Sequence, residues 1–394
     1  MNSIVIFAYN IMSEEKIQIQ SIEIKGYKAI KRSKIDLHPG LNIVIGRNSS
    51  GKSILFDAIR EFMISISRFN RIPRFNQIKF SYLTHNEKSI ELELTRIMSE
   101  VSSPQKEDDI EDHSLNVYLK YRGSKVDIDF KNQRGSIRRI IYREKKILLP
   151  LIHYIGFNLP KSLDYVETPG KLTFTFDKET NSLYNMEPFS SDIMWNYLLK
   201  LDSFVEDLQK VPTKKQIDKV LRFDSSVKEA LKEYSPISDI RFSPNFNIYS
   251  DDKVCVIDNI FLEFKIDGTW LPWSFLSDGT KRLFYLIHEV VTNSDSIMLI
   301  EEPELGVHPH QFHKILQLLK EESSKRQIII STHSPQSLNI LSKEELDNII
   351  LSSYDSSKGS IYKTLNSTQK KKASIYMSEV GFLSDYWLHS DLEK

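Results

Sequence analysis

Eight consecutive residues near the start of the chain have the types and spacing of a phosphate-binding loop: Gly46, Arg47, Asn48, Ser49, Ser50, Gly51, Lys52 and Ser53. The two glycines let the backbone curl so that successive N–H groups point at an anion, and a helix that begins there adds partial positive charge. At this spacing the Lys52 ammonium reaches the β- and γ-phosphates, and the Ser53 hydroxyl is a ligand of Mg²⁺. Together with Ile54, the stretch predicts a site for a nucleoside triphosphate and Mg²⁺.

Two later segments carry groups that could act on a bound triphosphate. The predicted strand 296–300, apolar from Ile297 onward, ends in Glu301 and Glu302. The predicted strand 327–330, apolar from Ile328 onward, is followed closely by His333. Groups at the carboxyl ends of parallel strands lie at the sheet edge where a phosphate-binding loop opens. Because adjacent strand residues point in different directions, one carboxylate can serve Mg²⁺ while its neighbour faces the γ-phosphate and a water molecule. His333 can donate to a phosphate oxygen or orient water.

A third segment, Ser277-Asp278-Gly279, opens a stretch whose apolar residues recur at helical spacing. The free N–H groups at a helix N-terminus attract anions, so these three residues are a second candidate contact for a nucleotide.

The phosphate-binding loop stands between a predicted strand and a predicted helix. The strand is the apolar run 41–45, and the helix carries apolar residues at 55, 58, 59 and 62. Further strands are expected near residues 17–24 and 34–37, so the pattern predicts an α/β fold. The pair Asp267-Gly268 predicts a β-hairpin turn.

The composition is that of a folded protein without a strong overall charge. Of 394 residues, 40% are hydrophobic and 27% charged, and 53 basic residues balance 53 acidic ones. A net charge of zero gives no long-range attraction for nucleic acid, so such a contact would depend on local patches. The single cysteine, Cys255, excludes an intrachain disulfide and fits a reducing compartment. The apolar run 4–12 is shorter than the ~20 residues of a membrane span, so we expect a cytoplasmic protein without membrane contact.

The middle of the chain differs from both ends. Alternating strands predict a β-rich arm at about 78–180, helical spacing predicts a helical patch at about 187–235, and strands return over 239–266. Residues 68–79 and 131–146 are rich in lysine and arginine and nearly free of acids. These two basic runs are either solvated surface or contacts for a polyanion or a partner.

Four motifs follow one another along the chain: the phosphate-binding loop, LSDG at 276–279, IMLIEEPE at 297–304 and STHSP at 331–335. In this order they resemble the ABC-type ATPases, and within them the RecF/SMC-like and OLD (overcoming lysogenization defect) group of ATPases. The motif-bearing parts cover roughly a third of the chain.

The resemblance implies a fold: an ABC-ATPase head with a mixed sheet and helices, interrupted between Walker A and the signature by a β-rich and helical insertion. The head would comprise residues 1–66 and 268–355, the insertion lobe residues 67–267, and a C-terminal segment, 356–394, would pack on the head.

The resemblance also assigns roles by position. Lys52 becomes the phosphate lysine, Glu302 the general base that activates water, and His333 the switch histidine at the γ-phosphate. Glu301 stands where the group usually has a metal-side Asp; it is one methylene longer, so direct or water-bridged ligation is implied. Gln77 is the candidate for the glutamine that senses the metal.

Ser277, Asp278 and Gly279 fall on the signature that caps the nucleotide of a partner subunit. The implied assembly is a head-to-tail homodimer, or a higher even oligomer, that encloses two ATP molecules. Asp278 replaces the usual glycine of this signature and Thr280 the usual glutamine.

Within the resembling group, several functions are implied. Nucleases of the OLD type carry a TOPRIM domain after the ATPase, and about forty residues follow Ser352, too few for one. We therefore expect a stand-alone ATPase, as in Septu or PARIS anti-phage systems, that senses a phage protein or nucleic acid and controls a separately encoded TOPRIM or HNH nuclease or toxin. The alternatives are a RecF-like DNA-binding repair ATPase and a non-hydrolysing, nucleotide-dependent scaffold.

Overall fold

The computed structural model describes residues 17–67, 74–84, 89–97, 114–121, 124–126, 137–145, 147–156, 172–177, 182–185, 213–293 and 297–390. Part of each basic run (68–73, 131–136 and 146) and residues 187–212 of the predicted helical patch lie outside these ranges.

The strands of the described residues are β1 (Gln18–Tyr27), β2 (Ile30–Asp36), β3 (Leu41–Ile45), β4 (Gln77–Leu83), β5 (Ser89–Ile97), β6 (Ser114–Tyr121), β7 (Ser124–Val126), β8 (Ile152–Gly156), β9 (Leu172–Asp177), β10 (Ser182–Asn185), β11 (Asp239–Phe242), β12 (Asn247–Ser250), β13 (Val254–Ile260), β14 (Leu262–Ile266), β15 (Thr269–Pro272), β16 (Ile297–Glu301), β17 (Ile328–Thr332), β18 (Ile349–Asp355) and β19 (Gly359–Thr364). The α-helices are α1 (Lys52–Ser67), α2 (Ile137–Lys145), α3 (Lys214–Val220), α4 (Ser225–Tyr234), α5 (Asp278–Thr292), α6 (Pro309–Ser323), α7 (Ser367–Glu379) and α8 (Leu383–His389). Short 3₁₀ helices lie at Trp273–Phe275, Pro335–Ile340 and Lys343–Asn348.

The chain divides into two compact units, each made of separate segments. The first comprises Met1–Ile155, Asn293–Pro303 and Leu319–Lys394, and the second comprises Gly156–Thr292 and Glu304–Leu318. Of the helices in the described part of the chain, none is both long and apolar enough to cross a membrane.

The first unit is built on a 12-stranded mixed sheet in the order β7-β6-β5-β4-β1-β2-β19-β18-β3-β17-β16-β8. Strands β18, β3, β17 and β16 are parallel neighbours. Every residue of β3, β16 and β17 is buried, which explains their nearly unbroken apolar sequences. From β1 to β7 the pairing is antiparallel, and β4 alternates between buried and half-buried residues, as expected for a sheet with one covered face.

Helix α1 covers the sheet with one apolar stripe. Leu55, Ile59, Phe62 and Ile66 are spaced by three or four residues and are all buried. The Phe62 ring stacks on Phe80 of β4 with centroids 4.2 Å apart. Burying each such side chain contributes about 1.5–3 kcal/mol, which fixes the helix that follows the phosphate-binding loop.

Strands β4 to β8 come from the segment that the sequence assigns to an insertion, yet they pair within the same sheet as β3. Alternation along a strand indicates which face is buried but not which strand it pairs with. The wider division into head, insertion lobe and C-terminal segment stays a prediction.

The second unit contains two small sheets, in the orders β10-β9-β13-β12 and β11-β14-β15. The predicted turn at Asp267-Gly268 is confirmed: both residues have positive φ, and Ile266 pairs with Thr269 across the β14–β15 hairpin. Phe284 of α5 packs edge-on against Phe264 and Trp273, with centroids 5.0 and 5.8 Å away. These aromatic contacts fix α5 in this unit.

Candidate functional site

The phosphate-binding loop connects β3 to α1. Ser49 and Gly51 have positive φ angles of 62° and 108°, and the N–H of Leu55 donates to the Gly51 carbonyl as the helix begins. A Cβ at Gly51 would lie 2.2 Å from the Ser360 hydroxyl, so both the backbone angle and the space require glycine. Arg47, Asn48 and Ser49 are exposed.

Lys52 turns back into the loop and is only 4% exposed. Its ammonium donates to the carbonyls of Gly46 and Arg47 at 2.7 and 2.9 Å and lies 3.1 Å from Nδ1 of His333. A buried ammonium needs partners of this kind, because its desolvation is otherwise costly. The lysine is therefore held where the loop curls, at the position that the motif predicts.

His333 lies between Lys52 and Glu302. Its Nε2 is 2.7 Å from Oε1 of Glu302, while Nδ1 faces the Lys52 ammonium. An ammonium can only donate, so Nδ1 accepts and Nε2 carries the proton that Glu302 accepts. The predicted phosphate lysine, switch histidine and general base are thus brought together in one line of contacts.

The strand order explains this meeting of distant residues. Strand β17 pairs in parallel with β3 on one side and with β16 on the other. Thr332 is level with Ile45, and Ser331 is level with Glu301, so the three strands end at one edge. Carboxyl ends of parallel strands share an edge of the sheet, and the residues that follow them converge there.

Glu302 leaves the strand in an unusual conformation. Its φ is +47°, which is uncommon for a residue other than glycine, and its N–H donates to the Ser331 carbonyl at 2.8 Å. This turn aims the Glu302 carboxylate at His333, whereas Glu301 remains buried at the end of β16. The two adjacent glutamates therefore face different surroundings, as their positions at a strand end predict.

Glu301 has one oxygen that is engaged and one that is not. Oε2 accepts a 2.5 Å hydrogen bond from the Tyr154 hydroxyl, and Oε1 is buried without a hydrogen-bond partner among the described residues. Burial, together with the hydrogen bond to Glu301, raises the pKa of Tyr154, so the phenol stays protonated and donates.

Sequence reasoning missed Tyr154. It lies on β8, next to β16 in the sheet, but 147 residues away from Glu301 along the chain. Its only local signal is a tyrosine in a short β-like run, which is common in ordinary strands.

The residues present fit a magnesium ion. Mg²⁺ prefers oxygen ligands and is commonly held by one or two protein groups together with phosphate oxygens. Ser53 presents an exposed hydroxyl in the first turn of α1, and Glu301 has the unpartnered carboxylate oxygen. No cluster of three or more His, Cys, Asp or Glu side chains that could hold a metal alone occurs in the described part of the chain.

The hairpin of β18 and β19 donates two hydrogen bonds to the phosphate-binding loop. The Tyr362 hydroxyl donates to the Gly51 carbonyl at 2.7 Å, and the Ser352 hydroxyl donates to the Ser50 carbonyl at 3.2 Å. Burial raises the pKa of Tyr362, which keeps it a donor. These two bonds tie the Gly51 and Ser50 carbonyls to the hairpin.

The signature-like residues lie in the second unit. Ser277 caps α5: its Oγ accepts from the Thr280 N–H at 3.2 Å. Ser277 and Asp278 are exposed, and a Cβ at Gly279 would lie 2.8 Å from the Gly306 carbonyl. The loop 304–306 therefore packs closely against the start of this helix.

Comparison with known proteins identifies the family. Residues 41–339 match the family described as "AAA domain, putative AbiEii toxin, Type IV TA system". The chain belongs to this AAA family. It is an ATPase, in agreement with the intact phosphate-binding loop.

Three curated relatives span most of the chain. An "ATP/GTP phosphatase" of Helicobacter pylori is 22% identical over 82% of this chain and 87% of its own length. The "Retron Vc95 probable ATPase" of Vibrio cholerae is 22% identical, covering 85% of this chain and 74% of the relative. The "Septu protein PtuA" of Bacillus thuringiensis is 23% identical, and the match covers 83% of this chain and 74% of the relative.

A solved SMC head, crystallised with the C-terminal winged-helix domain of ScpA, is similar in fold. Its TM-score is 0.51 at 16% identity, covering 89% of this chain and 98% of that one. The predicted fold class, an ABC-ATPase head with a large mixed sheet and helices, is confirmed.

Gln77 is not brought to the other predicted site residues of this ATPase. It begins β4, where its amide donates to Glu93 of the neighbouring strand. Six strands stand between β4 and β16 in the sheet order. No described contact supports a role for Gln77 at the metal, and that role stays a prediction.

The described parts of the two basic runs include residues with structural roles. Lys79 pairs with Glu91 at 3.1 Å, and Phe75 is fully buried. On α2, the Arg138 guanidinium donates to the carbonyls of Leu149 and Pro150 at 2.9 and 2.5 Å. Arg139 is exposed on the same helix. A contact for nucleic acid or a phage protein would have to use the exposed members only.

Proposed function

We propose that this ATPase hydrolyses Mg·ATP in a head-to-tail dimer and couples its nucleotide state to a separately encoded effector, a nuclease or toxin, in anti-phage defence. The observation that carries the hydrolytic part is the line of contacts from Lys52 through His333 to Glu302. An ammonium, an imidazole N–H and a carboxylate that lie together at one sheet edge support hydrolysis of a bound triphosphate.

Each of the three residues has a distinct task. The Lys52 ammonium exchanges its loop carbonyls for phosphate oxygens when ATP binds. Glu302 accepts the proton of the attacking water, and the Nε2–H of His333 holds Glu302 in place beside the γ-phosphate. Ser53 and Glu301 would hold Mg²⁺, which neutralises charge on the β- and γ-phosphates. The loop N–H groups and the start of α1 bind the remaining phosphate oxygens.

The second unit supports the dimeric part of the proposal. Phe275, two residues before Ser277, is 74% exposed, and Leu305 is 37% exposed in the loop that packs on Gly279. The Arg282 guanidinium donates to the Leu305 carbonyl at 2.6 Å and so fixes this loop. Large exposed apolar side chains beside a helix N-terminus suit a contact surface for a second subunit.

The effector and defence parts rest on the relatives. One relative is named as a Septu protein and another as a retron ATPase, and both span over four-fifths of this chain. The balanced charge of 53 basic and 53 acidic residues favours a protein partner over DNA as the main ligand.

The RecF-like alternative gains little from the described basic residues. Arg138 and Lys79 are engaged within the protein, which leaves fewer side chains for phosphate contacts.

The proposal is tested in a phage-plating assay with the gene in its native neighbourhood. Wild type should reduce plating, whereas Glu302→Gln and Lys52→Ala should not, at equal protein levels. Affinity purification of the same strains should recover the neighbouring gene product with wild type. Defence that survives both substitutions would contradict control by ATP, and binding to DNA that falls steeply with salt in place of a protein partner would favour the repair alternative.

A further inference from the structure

We propose that Tyr154 is a positioning residue that sets the rotamer of Glu301 and so directs its free oxygen toward the metal of Mg·ATP. The inference rests on the proposed function in one respect, namely that Glu301 serves the metal. It adds a residue from a strand that none of the four sequence motifs includes.

The Glu301 carboxylate is asymmetric in its contacts. Its Oε2 takes the 2.5 Å bond from Tyr154, while Oε1 is buried with no hydrogen-bond partner among the described residues, and Glu301 is 4% exposed. A buried carboxylate oxygen is costly unless a donor or cation satisfies it. The hydroxyl thus fixes one oxygen and leaves the other for a cation.

Tyr154 is itself held from the helix that follows the phosphate-binding loop. The Arg60 guanidinium lies 4.5 Å from the centroid of the Tyr154 ring, within the range of a cation–π contact. Arg60 also lies 3.5 Å from Asp57, which pairs with Lys28 at 2.6 Å. Helix α1 therefore begins in the phosphate-binding loop and also provides Arg60, the side chain that contacts the Tyr154 ring.

The Tyr154 ring lies at the edge of the apolar core, beside a cavity. The cavity has a volume of about 250 Å³ and is lined also by Ile59, Arg60, Met63, Ile64, Ile152 and Leu299. The ring also packs against the apolar core. The hydroxyl bond to Glu301 and the Arg60 contact add directional restraints to this packing.

A glutamate needs such a partner at this place. Its side chain has one more rotatable bond than aspartate, so its carboxylate samples more positions unless a hydrogen bond selects one. The partners that orient a metal-ligating carboxylate typically change metal affinity by 10- to 100-fold when they are removed.

The test measures metal binding without turnover. Free Mn²⁺ is quantified by electron paramagnetic resonance during titration of the full chain with a non-hydrolysable ATP analogue. Tyr154→Phe removes the hydroxyl but keeps the ring under Arg60, and should weaken Mn²⁺ binding about tenfold. The affinity for the analogue without metal should stay within twofold.

Tyr82→Phe is the matched control. Tyr82 is a buried tyrosine of the same sheet whose hydroxyl donates at 3.0 Å to the Leu148 carbonyl and not to a carboxylate. Its substitution should leave Mn²⁺ affinity within twofold of wild type. Thermal melting of each variant checks that the protein is still folded.

Glu301→Asp provides a second variant that breaks the same contact from the other side. The shorter carboxylate does not reach the Tyr154 hydroxyl, so adding Tyr154→Phe to it should cause no further loss of Mn²⁺ affinity. Unchanged Mn²⁺ binding in Tyr154→Phe, or an equal loss in both backgrounds, would overturn the inference. ATP turnover and dimer mass are measured separately. If the proposed function fails in those measurements, the Mn²⁺ affinities still test the role of Tyr154.

Discussion

The Nε2 atom of His333 lies 2.7 Å from Oε1 of Glu302, although 31 residues separate them in sequence. Between the two residues run helix α6 and strand β17, which return the chain to the same edge of the sheet. The carboxylate proposed to activate water is therefore held by a residue at the end of the next strand. Removal of either residue should disturb the other.

Glu302→Gln should abolish turnover while ATP still binds. The amide keeps the size and the contact with His333 but cannot accept a proton from water. Loss of a general base typically lowers the rate about 10²- to 10⁴-fold. Phosphate release under single-turnover conditions, together with the binding of a fluorescent ATP analogue, separates the two effects. A rate within twofold of wild type would remove Glu302 from this role.

His333→Ala should lower turnover by about tenfold or more with a smaller change in ATP affinity, because it removes the group that orients Glu302. In the double variant with Glu302→Gln the losses should not add, since the two residues act as one unit. Steady-state kinetics of the single and double variants check this expectation. Fully additive losses would mean that the contact does not matter for turnover.

Lys52→Ala should abolish tight ATP binding, because the ammonium is the buried cation of the loop. Lys325→Ala is a suitable control, since Lys325 is exposed and its ammonium pairs with Glu322 at 2.7 Å. Equilibrium binding of a fluorescent ATP analogue is the measurement. Retained affinity in Lys52→Ala would contradict the assignment of this loop as the phosphate site.

Tyr362→Phe should destabilise the fold by about 1–2 kcal/mol and weaken ATP binding, because the Gly51 carbonyl loses its buried donor. Chemical denaturation reports the free energy of unfolding, and titration with ATP reports the affinity. Tyr354→Phe is the control, since Tyr354 is 59% exposed in the same hairpin. Wild-type values for both quantities would show that the hairpin does not support the loop.

The residues whose chemistry is local were predictable from sequence. The apolar runs that become β3, β16 and β17 are fully buried parallel strands, and the polar residues that follow them meet as expected. The rule that carboxyl ends of parallel strands share an edge is sufficient to bring Lys52, Glu302 and His333 together.

The contacts that depend on strand order were not predictable. Tyr154 and Tyr362 reach the site from β8 and β19, which lie far away in sequence and carry no motif. Gln77 matched an expected residue type, but β4 pairs with β1 and β5 on the antiparallel side of the sheet. The sequence of a basic run does not show which of its side chains are free to bind a partner. Arg138, for example, donates to a backbone carbonyl of its own unit.

ATP-controlled association is tested most directly by the mass of Glu302→Gln in solution. Light scattering after size exclusion should give the mass of one chain without nucleotide and twice that mass with Mg·ATP. Adding Ser277→Arg to this variant should keep ATP binding but abolish the doubling, because Ser277 lies exposed at the start of α5. A single-chain mass at saturating Mg·ATP, with bound nucleotide confirmed, would contradict the shared two-subunit site.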